Sequence, residues 1–233
     1  IFKVKEYDPE TYARYHNIDV NANHEKANWI DLLKNAPKAF WTVSLTQFFC
    51  WFAFQYLWTY SAGAIAANVW QTTDPSSAAY QDAGNWYGVL AAVQSIAAVI
   101  CSYVLAKVPN QYHKHGYFIC LALGALGLTS IAFVSNQYIL ILSFIFIGIS
   151  WAGILTYPLT IVSNALSGKH MGTYLGLFNG SICLPQIVAS VLGFALYPML
   201  GGQQANMFFV AGLMLLLGAF SVFLIKETHA NQQ

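Results

Sequence analysis

Gln47, Trp51, Gln55 and Trp58 recur at helical spacing in an otherwise apolar stretch, "LTQFFCWFAFQYLWTY". At about 100° per residue they share, with Ser44, an arc of roughly 80° on a helix, while Phe49, Phe52, Tyr56 and Tyr60 lie largely elsewhere. Amides donate and accept hydrogen bonds to hydroxyl groups. Indole faces cover the apolar C–H patches of a sugar ring. The chemistry implied is recognition of a neutral, polyhydroxylated ligand, with Gln47, Gln55, Trp51 and Trp58 as its contacts. A second stretch repeats the pattern: Gly172, Gly176, Cys183, Gln186 and Ser190 fall within about 60° of Asn179. Asn179 and Gln186 are its binding candidates. Amides and small residues also join membrane helices to one another without any ligand, and that reading stands beside the first.

The elements that must position these groups are membrane spans. The chain is 57% hydrophobic and 8% charged, against about 25% charged in soluble domains. Runs near 39–68, 86–106, 117–134, 139–162, 174–199 and 207–225 each approach the about 20 apolar residues that cross a bilayer. They do not alternate, and they exceed barrel-strand length, so the fold class expected is all-α. None of the six runs contains Asp, Glu, Lys, Arg or His. That argues against a proton pump, a voltage sensor or a charged-substrate site within this chain. Pro185 removes a backbone donor beside the second stripe, and "TYP" at Thr156–Pro158 offers a second interruption, so Pro158 and Pro185 are the expected helix breaks.

All ten Lys and Arg residues fall on one side of this six-span arrangement: before the first run, between the second and third, between the fourth and fifth, and after the last. The positive-inside rule makes that side cytoplasmic and puts both ends there. Residues 1–38 then form a cytoplasmic segment, 39–225 the membrane region and 226–233 a cytoplasmic tail. Within the first, Asn28 is an N-cap candidate, and Trp29, Leu32, Leu33 and Ala36 share one face of a short helix that ends before Pro37. Asp74 and Asp82 read as turn residues of an external loop, 71–85. Four cysteines inside the runs read as small buried hydrophobes, and the histidines as surface residues. No phosphate loop, zinc-ligand spacing or nucleophile elbow is present, and the net charge of +1 gives no reason to expect a nucleic-acid partner. Neither an enzyme activity nor a cofactor is expected. The chain starts at Ile1 rather than Met, which suggests a piece of a longer protein.

The segments "GISWAGILTYPLTIVSNAL" and "MGTYLGLFNGSICLPQIVASVLG" resemble the tenth and eleventh helices of sugar transporters of the major facilitator superfamily. The branch is that of plant sucrose carriers and bacterial maltose or glycoside transporters. The specific part is the run Gly172, Gly176, Asn179, Pro185, Gln186, and the stretch around Gln47 resembles the family's seventh helix. The loop "LAKVPNQYHKHGY" keeps the basic residues of the superfamily's loop signature but lacks its acidic one.

The resemblance implies the carboxyl-terminal half of a twelve-helix carrier, built as two inverted three-helix units. Residues 1–38 become the central linker, and an amino-terminal six-helix half is the partner. It further implies alternating-access transport of a disaccharide or glycoside such as maltose or sucrose, coupled to a proton or sodium ion, in a cell membrane, with a bacterial inner membrane expected. A carrier for another neutral solute, such as a nucleoside, is the alternative. A membrane scaffold or enzyme is the rival of another class.

Overall fold

The structure, a computed structural model, describes residues 11, 14, 28–166 and 171–225. The chain divides into two units, Ile1–Asn35 and Ala36–Gln233. In the first, helix α1 (Trp29–Lys34) starts where the sequence suggests: Asn28 Oδ1 accepts from the Ile30 amide at 3.1 Å. Asp31 in its first turn and Lys34 in its last suit the helix dipole.

The second unit contains six long helices: α2 (Lys38–Val69), α3 (Ala78–Leu105), α4 (His113–Ile131), α5 (Ile139–Ala165), α6 (Met171–Met199) and α7 (Met207–Ser221). No strand occurs among the described residues. Five of them, α3 to α7, are long and apolar enough to cross a membrane, α4 and α7 together with their flanking 3-10 turns. This is a multi-pass membrane protein by length and composition. Helix α2 is the longest, yet it is not among the five, because Gln, Trp, Tyr and Ser interrupt its apolar residues. Its position explains the exception. It touches every other long helix, so much of its surface meets protein rather than lipid.

The helices run up and down. At one end Asn68 Nδ2 donates to the Ile131 and Ala132 carbonyls at 3.0 and 3.3 Å, closing the C-terminus of α4. Trp86 Nε1 donates to Gln137 O at 3.1 Å, and Asn206 Nδ2 to Leu200 O at 2.7 Å. Lys38, Lys107 and Lys114 lie at the other end. Lys169, Lys226 and most of the basic residues before α1 fall outside the described residues, as do 226–233.

Close contacts between helices come from small residues. A methyl group on Gly148 would meet the Gln94 carbonyl and Ala97 of α3, and one on Gly124 would meet Ser150. Thr46 and Ser221 hydroxyls pair at 2.8 Å inside the bundle, and Ser130 donates to Ser143 at 2.7 Å.

Several boundaries differ from the sequence reading. The loop expected at 71–85 is shorter, because Ser77 caps α3 by accepting from the Tyr80 amide, and the helix starts at Ala78. Asp82 is therefore an exposed residue of a helix rather than of a turn. Asp74 does form a turn: its carboxylate accepts from the Ser76 hydroxyl and amide at 2.7 and 2.9 Å, which holds its pKa below the usual value. His113 is half buried, with Nε2 3.1 Å from Val108 O and its ring on Tyr157. Cys183, expected to be buried, is exposed.

Candidate ligand-binding surface

The polar stripe of α2 splits into a covered part and an open part. Gln47 is 2% exposed and Trp51 9%, whereas Trp58 is 42% exposed and Gln55 half-buried. Gln47 has a structural partner. Pro158 lacks an amide hydrogen, so the Ile154 carbonyl one turn earlier in α5 loses its helical donor. Gln47 Nε2 donates to that carbonyl at 3.5 Å. The Gln47 Oε1, Ser44 Oγ and Trp51 Nε1 atoms on the same stripe are buried with no hydrogen-bond partner among the described residues.

Toward the open part the indoles cluster. Trp51, Trp58 and Trp151 of α5 lie with ring centres 5.5 to 6.1 Å apart, and Phe54 contacts Trp58 and Trp151. Trp58 is the exposed face of this cluster. Gln55 beside it is oriented within its own helix: Nε2 donates to Thr59 Oγ1 at 3.4 Å, and that hydroxyl donates to Gln55 O at 2.8 Å. Trp151 is the member that stripe analysis missed, since nothing in a single helix says which neighbour completes its aromatic face.

The α6 stripe is placed differently. Helix α6 meets α2 through Tyr174 and Phe178, which contact Phe40, and through Gly193 and Tyr197, which contact Tyr60. Tyr174 and Phe178 lie about 140° and 100° around the helix from Asn179, whereas Gly193 and Tyr197, several turns further along, lie within about 40° of it. Asn179, Gly172, Gly176, Gly180, Cys183 and Ser190 are exposed, and added methyl groups at the three glycines would meet nothing. Gln186 is half-buried, its Nε2 donating to Ile182 O of its own helix at 3.0 Å. No hydrogen bond or ring contact among the described residues joins Asn179 or Gln186 to the indole cluster.

Both prolines lie inside continuous helices: α5 runs through buried Pro158 and α6 through buried Pro185. Neither ends its helix. Tyr60 stacks parallel on Tyr197 at 6.0 Å, and Trp86 packs on Tyr138.

No known protein family matches the chain, and no functionally characterised protein is significantly similar to it. The likeness to sugar carriers therefore stands on the quoted residues alone.

Proposed function

We propose that this chain is the carboxyl-terminal half of a secondary transporter of the major facilitator superfamily, moving a neutral disaccharide or glycoside by alternating access. The observation that carries the reading is the open part of the α2 stripe, where Gln55 and exposed Trp58 stand on a layer of Trp51, Phe54 and Trp151. An amide beside a supported indole is suited to a hydroxylated ring: the amide exchanges hydrogen bonds with hydroxyls, and the indole covers the C–H face. In this reading Gln55 and Trp58 touch the sugar, Trp51 backs Trp58, and Gln47 ties α2 to α5 beneath them. Asn179 and Gln186 of α6 contribute from a neighbouring wall, completed by an amino-terminal half of the same protein.

Binding near mid-membrane between two six-helix halves would let rocking motions expose the site to each side in turn. Proton or sodium coupling would require an ionisable group from the other half. The lysine-rich end is assigned to the cytoplasm on the positive-inside rule.

The test is uptake of labelled maltose and sucrose by the full-length protein in vesicles, with and without a proton gradient. Gln55→Leu should raise KM about five- to a hundredfold, the equivalent of roughly 1–3 kcal/mol for a lost ligand hydrogen bond, without lowering the melting temperature. Trp58→Phe should be milder than Trp58→Ala, since part of the stacking face remains. Unaltered KM in Gln55→Leu, or no uptake of any neutral sugar, would refute the assignment.

A further inference from the structure

We propose that the bundle carries a second binding site for a neutral, polyhydroxylated ligand, at the end away from Lys38, Lys107 and Lys114. It is a cavity of about 410 Å³ between the last turns of α2 and the loop that follows α6. That volume lies within the about 300–1,000 Å³ typical of small-molecule sites. The Tyr80, Tyr197, Thr73, Gln203 and Gln204 side chains line it, and its lining contains no Asp, Glu, Lys, Arg or His.

Its wall is shaped by glycines at positions where other residues would not fit. Gly201 and Gly202 take φ of 84° and 66°, left-handed values that favour glycine. Their amides donate to Pro198 O and Tyr197 O at 3.1 and 2.9 Å, which reverses the chain just past the end of α6. The reversal lays Gln204 across α2 at Gly63, where a methyl group would overlap the Gln204 amide. Tyr197 is held from the other side by its parallel stack on Tyr60.

The groups facing the cavity have unused hydrogen-bonding capacity. Among the described residues no hydrogen bond engages the side chains of Gln203, Gln204, Tyr80, Tyr197 or Thr73, although Thr72 and Ser77 nearby are bonded to each other at 3.2 Å. Two amides, two phenols and a hydroxyl supply donors and acceptors in a neutral setting. An apolar ligand would leave them unpaired, and a charged one would find no counter-charge. A sugar or glycoside matches them, with the tyrosine rings available to its C–H faces.

The site is formed entirely by this chain, so it does not rest on the transport reading although the ligand class is the same. The probe is maltose, added to the purified full chain in detergent, with hydrogen exchange followed along the backbone. Maltose should slow exchange in 70–74 and 200–206, and a sugar phosphate should not. Gln204→Leu should weaken the maltose response about two- to tenfold, the size of one hydrogen bond. Gly63→Ala should do the same by displacing the amide. Tyr80→Phe removes only a hydroxyl, should weaken it comparably, and carries the test if either other variant fails to fold. Gln55→Leu should leave the protection intact. Absence of protection in both segments, or an unchanged response in folded Gln204→Leu and Tyr80→Phe, overturns the proposal. So does protection lost in Gln55→Leu instead. Failed sugar uptake with protection retained would count against the carrier reading alone.

Discussion

The packed surroundings of α5 and the outer face of α6 both combine glycine with an amide, and the bundle uses them in opposite ways. At α2–α5 the amide of Gln47 answers a carbonyl that Pro158 leaves without a donor. Gly148 of α5 brings α3 close on another side of the same helix. On the outer face of α6 Gly172, Gly176 and Gly180 meet nothing, Asn179 is exposed, and Gln186 bonds only its own backbone. The difference teaches that a polar stripe on a membrane helix marks a surface to be matched, and the partner decides whether that surface is structural or available. Burial agrees: the most apolar stretches of α3 and α6 are 17% buried, against 44% to 50% in α4, α5 and α7.

The largest effect expected from this contrast is at the glycines. Gly148→Ala would drive a methyl group into the Gln94 backbone carbonyl, which cannot swing aside as a side chain can. Overpacking of that kind costs about 1–3 kcal/mol. Gly176→Ala meets open space and gains helix propensity, a change of up to about 1 kcal/mol in the other direction. Melting temperatures of the two variants in detergent should therefore move oppositely. A shared direction would erase the distinction between the two faces.

The coupling of Gln47 to Pro158 should be somewhat smaller. Gln47→Leu removes the donor to the Ile154 carbonyl, and it also removes the unpartnered Oε1, which offsets part of the loss. A net cost of about 1 kcal/mol is expected. Pro158→Ala returns an amide hydrogen to the Ile154 carbonyl, so Gln47→Leu should cost much less in that background. Asn179→Leu, on the open face, should stay within about 0.5 kcal/mol of the parent. Equal costs of Gln47→Leu in both backgrounds would mean the amide is not there for the proline's sake.

How much of this could be read from the sequence follows from what periodicity contains. Apolar runs located six long helices, and Asn28 and Pro37 bracketed α1, because caps and breaks are local chemistry. Boundaries set by a cap that was not recognised, such as Ser77, shifted by several residues. The stripes were legible as stripes, since 100° per residue fixes which side chains share a face. Their direction was not, because it depends on neighbours distant in sequence. The partner of Gln47 lies 107 residues away. Trp151 joins Trp51 and Trp58 from another helix. The cavity beside Gly63 depends on a loop that returns from residues 201–204, and no single segment encodes it.

The smallest perturbation, one that changes no packing, asks what covers the α6 face. Cys183 lies among the exposed residues of the stripe, whereas Cys50 and Cys120 are buried. A thiol reacts with a charged methanethiosulfonate reagent as its thiolate, which forms where water reaches the sulfur. If lipid covers α6, Cys183 sits in hydrocarbon and stays unmodified, however exposed it is in the chain. If α6 lines a water-filled cavity of a two-half carrier, the same reagent should label it in the full-length protein, and maltose should slow the reaction. Cys101→Ser removes the half-buried thiol of α3 from the background, and Cys183→Ser should abolish the signal. Labelling slowed by maltose would tie the open stripe of α6 to the sugar. Cys183 inert to the charged reagent but reactive toward a membrane-permeant maleimide would assign that face to lipid and remove Asn179 and Gln186 from the binding surface.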